Sequence, residues 1–255
     1  MVRNEVVISL EQYQNDEVAK HLKPMLKDSL RMVRISAARY FNMSNQDVAA
    51  IENYKSANNE FLTALHLNAD FSSGQHQIAL YYQSKGNEEA AIKAYKRAIE
   101  IDGYNNRPRM NLALIYYNQG LTKESENLYL EVIEKEPNFS YSYYMLGLLY
   151  NELGDNAKSL EYLKLATEKL PFNQNAYYNY ALKLQGLRNY AASIVVLKRG
   201  LEFAPNNERL LYVKLLGEAN TNLIDDAKAT CILLMQISPN NQDYKQLYQQ
   251  LSQGN

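Results

Sequence analysis

Hydrophobic, small and turn-forming positions recur along the chain at an interval of 34 residues. Four sets keep this interval, namely turn glycines, small residues, large apolar residues and prolines: Gly86, Gly120, Gly154; Ala79, Ala113, Gly147, Ala181; Tyr82, Tyr116, Tyr150, Leu184; Pro137, Pro171, Pro205, Pro239. One set in register is an easy coincidence, whereas four sets in register define a structural repeat.

Each set has a physical role, which residues 72–105 illustrate. Ala79 and Tyr82 share one face of a predicted helix, and the small Ala79 lets a second helix come close. Gly86 ends this helix in the left-handed conformation that glycine adopts without strain. A second apolar helix follows, and in the later repeats a proline marks the turn after it, because proline does not continue a helix. The pattern predicts pairs of antiparallel helices.

This pattern resembles the tetratricopeptide repeat (TPR) family, whose unit is a helix-turn-helix of about 34 residues. The resemblance covers residues 72–241, and we assign residues 46–255 to the TPR domain. It implies an all-α fold, a right-handed superhelical solenoid of antiparallel helix pairs (an α-α superhelix). The implied units are a half-repeat at 46–71, repeats at 72–105, 106–139, 140–173, 174–207 and 208–241, and a capping helix at 242–253.

Three residues depart from the pattern. Arg188 occupies the position of the turn glycine, with Gly186 two residues before it. Glu218 replaces the large apolar residue of the last full repeat, and Lys214 interrupts the most apolar segment of the same helix. We expect the last repeat to be distorted, as terminal repeats often are.

The first part of the chain follows a different pattern. Residues 1–45 resemble a HEAT repeat, in which a leucine-rich helix containing a proline leads to an alanine-rich helix. Asp28 and Arg34 are placed to bridge the turn between those helices. HEAT units followed by TPR units resemble the C-terminal regions of some bacterial multihaem c-type cytochromes. The chain contains no Cys-x-x-Cys-His motif that would attach haem.

Residues 46–71 connect the two patterns. Apolar spacing around Phe61 predicts one long helix over Asp47–Leu67, capped by Ser44 or Asn45. A solenoid that opens in the middle of a repeat exposes an apolar face, so we expect the chain to be the C-terminal part of a longer protein. The expected location is cytoplasmic if the chain is complete and periplasmic if it belongs to an exported protein.

Composition and charge argue against several classes of function. The 27 basic and 28 acidic side chains give a formal net charge of −1, without a run of Lys or Arg, so we expect no nucleic-acid binding. No segment approaches the roughly 20 apolar residues that span a membrane. The three histidines have no metal-binding spacing, and Cys231 stands where the repeat needs a small buried residue. We therefore expect no enzyme, no metal and no cofactor.

The TPR resemblance implies a concave groove lined by the first helix of each repeat. The side chains that the register places there are rich in tyrosine, amide and arginine: Arg107, Met110, Tyr117, Asn118, Tyr141, Tyr144, Asn151, Tyr178, Gln185, Arg209 and Tyr212. Tyrosine offers a large contact with a polar tip, amides bond to peptide groups, and arginine holds carboxylates. A leucine column beside them is expected to support neighbouring helices, and the tyrosines also suit packing between repeats.

The sequence therefore predicts an interaction scaffold that binds a partner peptide or protein in the groove. The alternative is a structural helical module that positions an upstream domain, such as a multihaem cytochrome, or that self-associates. TPR domains of co-chaperones hold the C-terminal tails of heat-shock chaperones with Lys and Asn. The corresponding columns here contain His, Met, Tyr and Leu, so we expect no clamp for such tails.

Overall fold

The structure, a computed structural model, describes residues 2–44 and 46–253, and these residues contain α-helices but no named strand. The α-helices are α1 (Val2–Leu10), α2 (Asp16–Leu22), α3 (Arg31–Met43), α4 (Tyr54–Leu67), α5 (Ser72–Ser84), α6 (Glu88–Ile101), α7 (Asn106–Asn118), α8 (Thr122–Lys135), α9 (Ser140–Glu152), α10 (Asn156–Glu168), α11 (Gln174–Gly186), α12 (Tyr190–Phe203), α13 (Glu208–Asn220), α14 (Ile224–Ile237) and α15 (Gln242–Gln253). Two short 3-10 segments cover Lys23–Lys27 and Val48–Ala50. The predicted all-α class is confirmed.

The chain divides into two compact units, one up to Gly120 and one from Leu121 onwards. In the first unit, α1 and α4 pack on α3, and α5 packs on α6. Its N-terminal core centres on Val33, Ala37 and Phe41, all without solvent exposure. The predicted division between a HEAT-like segment (1–45) and a TPR segment (46–255) stays a prediction.

The second unit repeats one arrangement of helices. Helices α9 and α10, α11 and α12, and α13 and α14 form successive pairs, and α15 covers the last pair. The close approach of α9 and α10 depends on Gly147, because a Cβ there would lie 2.7 Å from Cγ of Leu163. The first helices of these pairs begin at Ser140, Gln174 and Glu208, which keeps the interval of the sequence repeat.

Two expectations for the first unit were wrong. Residues 47–67 do not form one helix, because Asn53 adopts a left-handed conformation (φ 63°) between the 3-10 segment and α4. Ser44 does not cap α4, since its hydroxyl donates to the Phe41 carbonyl at the end of α3 (3.2 Å). Asn45, the other cap candidate, lies outside the described residues.

The expected Asp28–Arg34 bridge is also different in detail. The Arg34 guanidinium donates to the backbone carbonyl of Asp28 (2.7 Å) and pairs with Glu60 of α4 (2.9 Å). The Asp28 carboxylate instead pairs with Arg3 at 3.0 Å. Arginine has several donors in a fixed fork, which allows it to join the turn and a neighbouring helix together.

The turns inside the helix pairs explain the missing glycine at position 188. Gly86, Gly120 and Gly154 have φ values of 71°, 73° and 75°, and Arg188 adopts φ 58° at the equivalent position. Gly186, although it is close in sequence, is the last residue of α11. The position in the repeat, rather than the presence of glycine, thus determines which residue adopts the left-handed conformation.

Replacing Arg188 by glycine should stabilise the protein. A non-glycine residue is strained at this φ, and the Arg188 side chain is exposed, so we expect Arg188→Gly to raise the free energy of unfolding by about 0.5–1 kcal/mol. Urea unfolding followed by circular dichroism measures the change. The control is Asn222→Gly at φ 60°, where the gain should be smaller because asparagine tolerates this conformation. Equal gains for both variants would contradict the argument.

Candidate functional site

The first helices of the second unit carry a column of three tyrosines. Tyr144 on α9 and Tyr178 on α11 are half-buried, and Tyr212 on α13 is 39% exposed. The Tyr144 ring lies 6.0 Å from that of Tyr141, which is also exposed. The Tyr212 ring lies 6.2 Å from that of Tyr244 in α15. None of the three column rings is fully buried, so each keeps solvent-accessible surface.

Arg209 joins this column as a positive charge. Its guanidinium carbon lies 4.0 Å from the centroid of the Tyr178 ring, in a cation–π contact. One Arg209 nitrogen donates to the side-chain oxygen of Asn175 on α11 (3.2 Å). Both contacts fix the orientation of an exposed guanidinium at the beginning of α13, where it is suited to a carboxylate.

A hydrogen bond links the tyrosine column to the next repeat. The Tyr144 hydroxyl accepts from the side-chain amide of Asn179 (3.1 Å), and burial raises the pKa of this hydroxyl. The equivalent positions of the first unit are also bonded, between Asn111 and Nε2 of His76 (2.9 Å). Burial lowers the pKa of His76, and the nearby positive charge of Arg107 lowers it further, which favours the neutral imidazole in this bond.

The predicted residues of the first unit all lie on α7 but differ in exposure. Arg107 and Asn118 are exposed, and Tyr117 is half-buried. Met110 is only 8% exposed, so it offers little surface to a partner.

Gln185 has a role inside the fold. Its amide nitrogen donates to the Ser193 hydroxyl on α12 (3.1 Å) and to the Val213 carbonyl on α13 (2.8 Å). These bonds join three helices of the second unit. The amide nitrogen of Gln185 is therefore engaged within the fold.

A concavity of about 450 Å³ lies between α9, α10 and α11. The residues that matter for its chemistry are Leu148, Asn151, Asn156, Asn179, Leu182 and Lys183. Of these residues, the sequence predicts Asn151 in the groove and assigns Leu148 and Leu182 to the leucine column that supports neighbouring helices. The sequence does not single out Lys183, Asn156 or Asn179.

A signal for Lys183 is nevertheless present in the register. The equivalent residues one repeat earlier and one repeat later are Leu149 and Gly217, and both are buried. A lysine in a column of buried residues needs polar partners nearby. The sequence thus shows that Lys183 is unusual in its column, but only the tertiary structure shows which side chains it bonds to.

Pairs of helices that recur at a constant interval define a helical-repeat protein. Family models described as tetratricopeptide repeat match residues 73–105, 109–135 and 128–161. The chain is a tetratricopeptide repeat protein. Proteins with these repeats mediate protein–protein interactions, which favours an interaction role over catalysis.

Solved structures agree on the fold. The yeast Tom70 crystal structure aligns with a TM-score of 0.68 and 19% identity, over 98% of this chain and 54% of that chain. PilF of Pseudomonas aeruginosa aligns with a TM-score of 0.59 and 18% identity, over 86% of this chain and 99% of that chain. YrrB, described as a TPR protein with an unusual peptide-binding site, aligns with a TM-score of 0.53 and 18% identity, over 75% and 97%. No curated protein matches the chain at the sequence level.

Within residues 2–44 and 46–253, no helix has both the length and the apolar character needed to cross a membrane. The same residues contain no group of three or more His, Cys, Asp or Glu side chains arranged to hold a metal ion.

Proposed function

We propose that this protein is an interaction scaffold whose second unit binds a partner peptide along the first helices α9, α11 and α13. The observation that carries the proposal is the column of Tyr144, Tyr178 and Tyr212, whose rings stay partly accessible. Tyrosine and arginine are the residue types that contribute most to binding in protein interfaces. Tyrosine also loses little conformational entropy when its ring is covered.

The polar groups around this column suit an extended peptide. Arg209 is held over Tyr178 and bonded to Asn175, so it is oriented before a partner arrives. A preoriented side chain loses less entropy on binding, which increases affinity. YrrB, which is described as having a peptide-binding site, shares the fold and supports the proposal by analogy.

On the first unit, we propose that Arg107, Tyr117 and Asn118 form a further contact surface on α7. Their exposed or half-buried side chains make this possible, whereas Met110 contributes little.

The test is binding to a displayed library of random peptides. Peptides recovered with the whole chain are synthesised, and their dissociation constants are measured by fluorescence anisotropy. We expect Tyr144→Ala combined with Tyr178→Ala to weaken binding about 20-fold, since interface tyrosines often contribute close to 2 kcal/mol together. Circular dichroism checks that the double variant remains folded.

The matched control removes two exposed apolar side chains from a second helix. Ile232→Ala combined with Leu233→Ala changes α14, and we expect unchanged peptide affinity. Two results would contradict the proposal. One is an equal loss of affinity in both double variants. The other is a library without saturable binders together with concentration-dependent assembly on a sizing column, which is the result expected of a structural module.

A further inference from the structure

A chain of hydrogen bonds in the first unit joins α5, α6 and α7. The Tyr95 hydroxyl on α6 donates to the side-chain oxygen of Gln83 on α5 (2.9 Å). The amide nitrogen of Asn111 on α7 donates to Nε2 of His76 on α5 (2.9 Å). Burial raises the pKa of the Tyr95 hydroxyl to about 12, and a hydrogen bond from Asn111 opposes this rise. The four side chains thus form one network across three helices.

The network has a fixed direction. Because the Tyr95 hydroxyl donates to Gln83, its oxygen is left to accept from Asn111. The NH₂ group of Asn111 therefore faces both Tyr95 and His76, and each of its two hydrogens has one acceptor. An imidazole nitrogen that accepts a hydrogen bond is unprotonated, so the neutral ring of His76 carries its proton on Nδ1.

Protonation of His76 places a donor where the network needs an acceptor. The N–H at Nε2 would then face the NH₂ group of Asn111. To restore the bond, the Asn111 amide would have to rotate, which turns its oxygen towards the Tyr95 oxygen and away from any donor. Tyr95 has no solvent exposure, so a partner lost there is not replaced by water. One proton therefore disturbs hydrogen bonds on three helices.

The groups around the imidazole also favour the neutral ring. Burial lowers the pKa of His76, and the positive charge of Arg107 on α7 lowers it further. From α6, the uncharged ring of Tyr95 lies 5.8 Å from the imidazole. Helices α3 and α4 also pack on α5, and Arg39 is the titratable residue that they contribute to the cavity shared with it. Arg39 is paired with Glu11 at 2.7 Å, so this carboxylate is already engaged.

We propose that His76 is a proton-sensitive latch between α5 and α7, which the neutral imidazole closes and protonation releases. The inference goes beyond the proposed function, because it concerns the stability of the first unit and requires no partner. The fold favours the neutral ring, whereas a histidine of the unfolded chain has a pKa of about 6.5. The stabilising contribution is therefore complete above this pH and is lost as the pH falls below it.

Nitrogen-15 NMR of the histidine rings tests both features of the latch in the whole chain. The His76→Gln variant identifies the signals of His76 by their loss. At pH 7.5 we expect His76 as the tautomer protonated on Nδ1, and we expect its titration midpoint below that of the histidines in the urea-unfolded chain. The tautomer protonated on Nε2, or a midpoint equal to that of the unfolded chain, would overturn the proposal.

A carboxylate in place of the amide should invert the preference of the latch. Asn111→Asp offers His76 an acceptor and a negative charge, so we expect its titration midpoint to rise by about one pH unit or more. The matched control is Asn179→Asp in the second unit, since Asn179 forms the equivalent bond with the Tyr144 hydroxyl. We expect this control to leave the midpoint of His76 unchanged. Equal midpoints of His76 in the two variants would refute the latch.

Tyr95→Phe tests the direction of the network without adding a charge. The Asn111 amide loses one of its two acceptors and becomes free to rotate, so its oxygen can accept from the protonated ring. We expect the titration midpoint of His76 to rise, by less than in Asn111→Asp. An unchanged midpoint in the folded variant would show that Tyr95 does not orient the amide, which contradicts the proposal.

The effect on stability is measured by urea unfolding at pH 7.5 and 5.5. The intensities of the native amide signals of α5 and α7 are followed by NMR, so that the first unit is observed separately. His76→Gln keeps an acceptor for Asn111 that does not titrate, and its own loss of stability on acidification accounts for all other groups. We expect the urea midpoint of the original chain to fall further than that of the variant. Parallel losses in both proteins would overturn the latch.

Discussion

Lys214→Met is expected to lower the free energy of unfolding by about 3 kcal/mol, because it removes the counter-charge of a fully buried carboxylate. Glu218 has no solvent exposure, and its carboxylate lies 2.5 Å from the Lys214 ammonium. Thr230 on α14 donates to the same carboxylate (2.7 Å) and accepts from the ammonium (2.7 Å). Without Lys214, one hydroxyl donor remains for a buried negative charge.

Urea unfolding measures the stability, and hydrogen exchange locates the change in α13 and α14. Hydrogen exchange is needed because the terminal repeats of such proteins can unfold locally without global unfolding. The control is the double variant Lys214→Met and Glu218→Leu, which replaces the ion pair by apolar side chains. We expect it to recover most of the stability, since apolar replacements of buried ion pairs are often neutral or stabilising. A single variant as stable as the original chain would contradict this account.

Gly147→Val is expected to destabilise the second unit by about 3 kcal/mol, at the upper end of overpacking effects. A Cβ at Gly147 would lie 2.7 Å from Cγ and 3.2 Å from the backbone nitrogen of Leu163. Leu163 is buried, so α9 and α10 would have to separate. Thermal unfolding by circular dichroism checks the expectation.

Gly186→Val is the matched control for this substitution. A Cβ at Gly186 would meet no atom within 4 Å, and the residue ends α11. We expect a change of less than about 0.5 kcal/mol, because valine and glycine differ little in helix propensity there. Similar losses in both variants would show that the close contact of α9 with Leu163 is not the cause.

The two destabilising substitutions differ in how much of their structural basis the sequence alone reveals. Gly147 belongs to a column of small residues, so its position against a neighbouring helix follows from the repeat. Lys214 and Glu218 are anomalies of the last repeat at a spacing of four residues, which brings them onto one helix face. Their burial beside Thr230, however, depends on how α14 packs on α13.

For the candidate site, too, the sequence predicts the positions of residues along the helices but not all of their contacts. Tyr144, Tyr178 and Tyr212 keep the 34-residue interval, and the structure shows their rings partly accessible. Gln185 keeps an equivalent interval but bonds to Val213, and the sequence does not reveal this choice. An amide side chain bonds to the nearest suitable group, and that group lies in the next repeat.

The sequence by itself determined the 34-residue repeat, the all-α class and the turns at Gly86, Gly120 and Gly154. These properties follow from periodic small and apolar residues, whose burial depends on neighbouring units of the same design. Only the tertiary structure decided which polar groups meet, as with Lys183 and Asn156 or Glu218 and Thr230. Hydrogen bonds need donor and acceptor within a narrow distance, and residues on different helices reach that distance only after the helices have packed.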